Sequence, residues 1–292
     1  MKNRSITLVL AAALLLAAPA AQADLAWLQE AGDAANAALA AAGSDLRVGY
    51  AETLTADGQG QTLFFANVGN KQLTSDWVPF DPRRTWNNTA GITYLVDQSD
   101  GATASGLTNA QTEGAIDSAM QTWDFATTCS DTPMFKVADP GVDPDQIDFL
   151  AGFGPPPGPG WPFADVTHGG WTAAFAPPTL GVTFTFIWTV GGVATDIDNN
   201  GKTDTAIREI YYSDNFVWNI GTNIDVETVA LHEAGHGLSQ GHFGTLFQTN
   251  ANGKFHFAPV AVMNAGYTQV QQDLKATDLA GHCSLWGGWP NN

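Results

Sequence analysis

Residues 232–242 read His-Glu-Ala-Gly-His-Gly-Leu-Ser-Gln-Gly-His, and side chains of these types at this spacing could activate a water molecule. On a helix, positions four apart share a face, so His232 and His236 can offer two imidazole nitrogens to one ion. His242 follows His236 by six residues, so the helix must stop and the chain must turn back to deliver it as a third ligand. Three protein ligands leave the fourth corner of a tetrahedral zinc ion open to solvent, which separates a catalytic site from a closed structural one. Glu233 stands beside the first imidazole, where a carboxylate can take a proton from a water whose acidity the metal has raised. With 6 histidines in 292 residues, four fixed residues at these spacings arise by chance on the order of once in ten thousand chains. A capped helix with incidental surface histidines is therefore the weaker reading.

The stretch resembles the zinc motif of the metzincin metallopeptidases, H-E-x-x-H-x-x-G-x-x-H followed downstream by a Met-turn. Ser239 stands where the family has glycine, at a sharp turn where a positive φ strains any residue with a Cβ. Met263 lies 21 residues beyond His242 and resembles the Met-turn methionine, which in the family packs beneath the histidines. Tyr267 matches the tyrosine that walls the family's specificity pocket, with Ala265 in place of the usual proline. From Gln272 to Gly287 the chain is similar to the closing helix of a matrixin domain, the branch that includes the matrix metalloproteinases. The resemblance runs from about Asp76 to Gly287. It implies an α+β zincin fold: a twisted, five-stranded mixed sheet with an active-site helix, a Met-turn and a C-terminal helix. It also implies a zinc endopeptidase acting on protein or peptide substrates, with His232, His236 and His242 as ligands and Glu233 as general base.

The motif needs elements to aim it. Asp225 is placed to cap a helix running from Val226 to about Gly237, its charge suiting the positive end of the helix dipole, with Val226, Val229 and Ala230 turned to a sheet. Upstream, Ile92–Val96 reads as a strand, and 108–127 as a helix whose apolar face includes Ile116, Met120, Trp123 and Phe125. Strands are expected at Met134–Val137 and Asp148–Phe153, then a Pro/Gly loop at Gly154–Gly160. Gly169–Pro177 is similar to the family's upper edge strand, which pairs with the substrate backbone; an ordinary edge strand is the alternative. Matrixins also hold a structural zinc near here with three His and an Asp. Only His168 precedes residue 232 in this chain, and Ala173 and Tyr211 stand near where ligands would fall, so a single zinc is expected. His256 and His282 read as surface or structural residues.

Between strands expected at Val182–Val190 and Ala206–Tyr212, residues 196–204 read Asp-Ile-Asp-Asn-Asn-Gly-Lys-Thr-Asp. Asp196, Asp198 and Asn200, with the Lys202 carbonyl and Asp204, could surround one calcium ion as in the first half of an EF-hand loop. Ile207 occupies the place of the bidentate Glu, and an acidic turn is the alternative.

Residues 1–23 carry Lys2 and Arg4, an apolar run from Ile6 to Ala18, and small residues before Asp24. That is a secretory signal peptide with cleavage expected after Ala23 and a secreted, extracellular or periplasmic product. Residues 24–75 read as a helix (Asp24–Ala42) and a hairpin (Arg47–Leu54 and Thr62–Val68), either a pro-region or an accessory element, ahead of a catalytic domain at 76–292. No cysteine lies in 24–75, so the family's thiolate latch cannot operate. Cys129 and Cys283 are the only cysteines, either bridged or two buried thiols. A formal charge of −18 argues against nucleic acid and suits bound calcium. The expected protein is monomeric, without a membrane span. A catalytically silent secreted metal-binding protein of the same fold is the rival reading, and an amidase acting on cell-wall or small peptide substrates a third.

Overall fold

The structure is a computed structural model and describes residues 25–68, 75–84, 90–126, 129, 132–141, 163–251 and 253–291. Leu28, Ala35 and Leu39 give helix α1 (25–41) its buried stripe. Strands β1 (Leu46–Thr55), β2 (Thr62–Phe64), β3 (Ser75–Asp76) and β4 (Ile92–Val96) precede helix α2 (Asn109–Asp124), which opens on a Thr108–Gln111 capping box. Then come β5 (Met134–Lys136), β6 (Val166–Thr172), β7 (Thr179–Val190), β8 (Val193–Ala194) and β9 (Thr203–Ser213). Short strands β10 (Trp218–Asn219) and β11 (Ile224–Asp225) lead into helix α3 (Val226–Gly237). A hairpin of β12 (Thr245–Gln248) and β13 (Phe255–Ala258) separates α3 from helix α4 (Ala276–Trp286).

The main sheet runs β2-β1-β7-β9-β6-β4-β5, with β3 on β9 and β8 on β7. Strands β5, β4, β6 and β9 are mutually parallel, β7 is antiparallel to β9, and β1 is antiparallel to β7. The protein is thus α+β with a mixed sheet. Strand alternation assigns the two faces. Along β9, Arg208, Ile210 and Tyr212 face α2 and α3, while Ile207 and Tyr211 face the layer of α1, Phe163, Phe184 and Trp188. Both faces are covered, which is why β9 is buried along its whole length.

Several expectations are corrected. Phe125 does not join the apolar face of α2; the helix ends at Asp124 and the ring is 73% exposed. The segment Gly169–Pro177 is not an edge: β6 lies inside the sheet between β4 and β9, and the antiparallel strand is β7. Edge and interior strands demand the same extended backbone, so local sequence separates them poorly. The outer edge of β7 is itself covered, because β1 from the N-terminal segment pairs along it. The sheet is consequently wider than five strands. The leader (residues 1–23), Asp148–Phe153 and Gly154–Gly160 lie outside the described residues. Cys129 and Cys283 are bonded, their Cα atoms 5.5 Å apart, tying the chain just after α2 to α4. Among the described residues no helix is long and apolar enough to cross a membrane.

Candidate metal centre

Helix α3 is held at both ends and along one side. Asp225 caps it as the sequence suggests: Oδ2 accepts from the Thr228 N–H at 3.0 Å and its hydroxyl at 2.7 Å, and Oδ1 accepts from the Gly221 N–H at 2.6 Å. Three buried indoles donate to carbonyls of the helix and its exit: Trp123 to Leu231 O (2.8 Å), Trp77 to Gly237 O (3.0 Å) and Trp286 to Leu238 O (3.0 Å). Gly235 lets Met263 and Trp123 approach, since a Cβ there would lie 2.3 Å from Met263 Sδ and 2.9 Å from the Trp123 ring. The helix ends in the expected sharp turn, and Ser239 adopts φ +67°. That conformation costs a non-glycine residue roughly 1–2 kcal/mol, and the serine offsets it with a bond that glycine lacks: buried Arg208 donates to Ser239 Oγ at 3.0 Å.

The turn brings His242 back onto the helix. His236 Nε2 lies 3.0 Å from His232 Nε2 and 3.2 Å from His242 Nε2. The other ring nitrogens fix the tautomers: His232 Nδ1 is 2.7 Å from Val262 O, and His236 Nδ1 is 2.8 Å from Gln240 O. A carbonyl can only accept, so both Nδ1 atoms carry the proton and both Nε2 atoms present bare lone pairs. Burial holds the rings neutral. It pushes His236 down to about 3, and it takes His232 and His242 well below the ordinary imidazole value, helped by the neighbouring histidines. Lone pairs converging at such distances repel unless a cation lies between them. The three residues can hold a metal ion, with donor and hydrogen-bond chemistry that fits one.

Glu233 is fully buried, and its Oε2 accepts the Thr183 hydroxyl at 2.6 Å. Burial raises its carboxyl well above the usual range, countered by that hydroxyl, reinforced by the nearby Glu52 charge, and countered again by the Leu54 N–H. Met263 is buried against the helix at Gly235. Its backbone is fixed by a residue that motif reading did not single out for this role: Asp278 of α4 accepts from the N–H groups of Val262 (3.0 Å), Met263 (3.1 Å) and Lys275 (2.8 Å). Asp278 therefore aims the Val262 carbonyl that orients His232. Tyr267 borders a small cavity with Thr228, His232, Val262 and Gly266, and its hydroxyl accepts from the Asp225 N–H while donating to Asn223 O. Glu52 of β1 was also missed; its Oε2 is 3.1 Å from His236 Nδ1. Nothing local in its sequence marks it, because it arrives through strand pairing.

No family model matches the chain, and no curated protein matches it in sequence.

Elsewhere, Asp196, Asp198 and Asp204 gather within 4.8 Å of one another at one end of β9. Their surroundings are already partly neutralised. Arg83 bridges Asp204 at 2.8 Å, while Asp76 receives Lys202 Nζ at 2.8 Å and Asn200 Nδ2 at 3.0 Å. His168 lies apart from the triad, buried between strands with Nδ1 2.8 Å from the Tyr212 hydroxyl. His282 is also buried, between Trp123 and Trp286.

Proposed function

We propose that this chain is a secreted zinc endopeptidase of the metzincin type, with one zinc held by His232, His236 and His242. The observation that carries the reading is the set of Nε2 lone pairs converging beside a buried carboxyl. Support for the fold comes from the strands β5-β4-β6-β9-β7, of which only β7 is antiparallel, backed by α2 and α3 and closed by Met263 and α4. A bound zinc supplies polarisation of the scissile carbonyl and acidification of water at neutral pH. Glu233 takes the proton as water attacks and returns it to the leaving amine. Thr183, donating to Oε2, keeps the carboxyl turned to that task. The Asp196, Asp198, Asn200 and Asp204 cluster, with the Lys202 carbonyl, is the place for calcium in this reading, and the leader at residues 1–23 for export.

Strand β1 lies over Glu233, and this favours a second reading, a metal-binding protein without turnover. Elemental analysis with casein cleavage, run with and without a chelator, separates the two. A peptidase holds one zinc per chain, loses cleavage to the chelator, and in Glu233→Gln loses cleavage while keeping zinc. Zinc retained with no cleavage in any form, including forms with β1 loosened as described below, establishes the silent protein.

A further inference from the structure

Strand β1 is paired through its backbone on both sides at this site. On one side it pairs with β7, Leu54 opposite Gly181 and Glu52 opposite Thr183. On the other side it bridges the wall segment: Thr55 pairs with Gly266, the Tyr267 N–H donates to Thr55 O at 2.9 Å, and the Gly60 N–H donates to Ala265 O at 2.8 Å. The fit is tight, since a Cβ on Gly266 would lie 2.1 Å from Gly58 Cα. Leu54 is 2% exposed and lines the same small cavity as Thr228, His232, Val262, Gly266 and Tyr267. Its N–H is directed at the Glu233 carboxyl. Glu52, two residues earlier on the same face of the strand, reaches the Nδ1 side of His236.

We infer that residues 46–61 are a built-in substrate mimic, with Leu54 set against the pocket beside His232, so that the intact chain is latent until this strand leaves β7. The inference rests on the peptidase reading. It gives the N-terminal segment a function that needs no cysteine: backbone pairing on two sides and one buried aliphatic side chain close the groove, as added strands do at sheet edges. A peptide competing for the same edge must wait for β1 to open, and its apparent affinity falls in proportion to the open fraction.

The test uses the zinc-loaded full chain, Leu54→Ala and Gly60→Ala. The first removes the side chain that walls the pocket. The second wedges the hairpin from its seat, because a Cβ at 60 would lie 2.1 Å from Thr53 O and 2.6 Å from Ala265 O. Neither residue belongs to the catalytic machinery. Amide exchange across Leu46–Thr55 shows whether β1 has loosened; cleavage of a quenched-fluorescent peptide pool and binding of a labelled peptide hydroxamate show whether the groove has opened. Each variant should speed cleavage and tighten hydroxamate binding by about tenfold or more, in step with lost protection of β1. Lost protection with both other readouts unchanged overturns the inference. Tighter hydroxamate binding with no peptide cut by any form leaves the occlusion standing and removes the peptidase reading instead.

Discussion

Replacing Gly235 by alanine sets two effects of opposite sign against each other. In an exposed helix the change stabilises by about 1 kcal/mol, because glycine is the poorest ordinary helix former. Here the new methyl would meet Met263 Sδ at 2.3 Å and the Trp123 ring at 2.9 Å. Contacts that short require a shift of about an ångström in a packed core, and overpacking of this kind costs roughly 1–3 kcal/mol. Met263 can swing its thioether aside, but Trp123 is pinned by its bond to Leu231 O, whose loss adds about 1 kcal/mol. The expected net result is destabilisation by about 1–3 kcal/mol, with weaker zinc binding because the base beneath His232 and His236 is displaced. Urea unfolding in chelator gives the first quantity, and competition against a chromogenic chelator gives the second. A midpoint equal to or above that of the unaltered protein would refute the packing argument, and with it the assignment of Met263 as the base of the site.

Asp278→Asn leaves one oxygen to serve three backbone N–H donors and turns an amide N–H toward at least one of them. A loss of about 2–4 kcal/mol in urea unfolding is expected, together with weaker zinc binding; an unchanged midpoint would show that α4 does not hold the methionine turn. Replacing both Cys129 and Cys283 by serine opens a loop spanning 154 residues, for which chain entropy predicts about 5 kcal/mol. Melting in non-reducing buffer checks it, and equal midpoints would count against the bond as a stabiliser. Glu209 is buried with the Tyr211 hydroxyl donating to Oε2 at 3.3 Å, and burial raises its carboxyl to about 8. Its folded pKa thus lies above the unfolded one, so the folded state keeps a proton that the unfolded chain releases, and stability should fall as pH rises from about 4.5 to about 8. Glu209→Gln should flatten that slope; chemical denaturation at pH 5 and pH 8 would expose the error if both proteins decline alike.

The site was more legible than the scaffold around it. The spacing of His232, His236 and His242 marked three imidazoles that the fold brings together, and Asp225 marked the helix start, because helix periodicity and capping are local properties. Ile92–Val96 appears with the bounds its β-branched and aromatic residues suggest. What escaped was long-range. Placing β6 inside the sheet depends on its pairing with both β4 and β9, and placing β1 along β7 on pairings across more than a hundred residues of chain; period-2 patterning says which face a residue takes without naming the neighbouring strand. Glu52 and Asp278 stayed hidden for the same reason: each is an unremarkable acid until strand pairing or the docking of α4 sets it against the site.

The Cys129–Cys283 bond closes a covalent ring that contains all three histidines, Glu233 and Met263, whereas α1 and β1 hang outside it. A single backbone break therefore has unequal results depending on where it falls. Within the ring, the severed ends remain members of one molecule. Ahead of Cys129, for instance in the partly exposed tip at Ala56–Gly60, the same event turns the N-terminal piece into a separate peptide, free to diffuse away while the three histidines stay tethered.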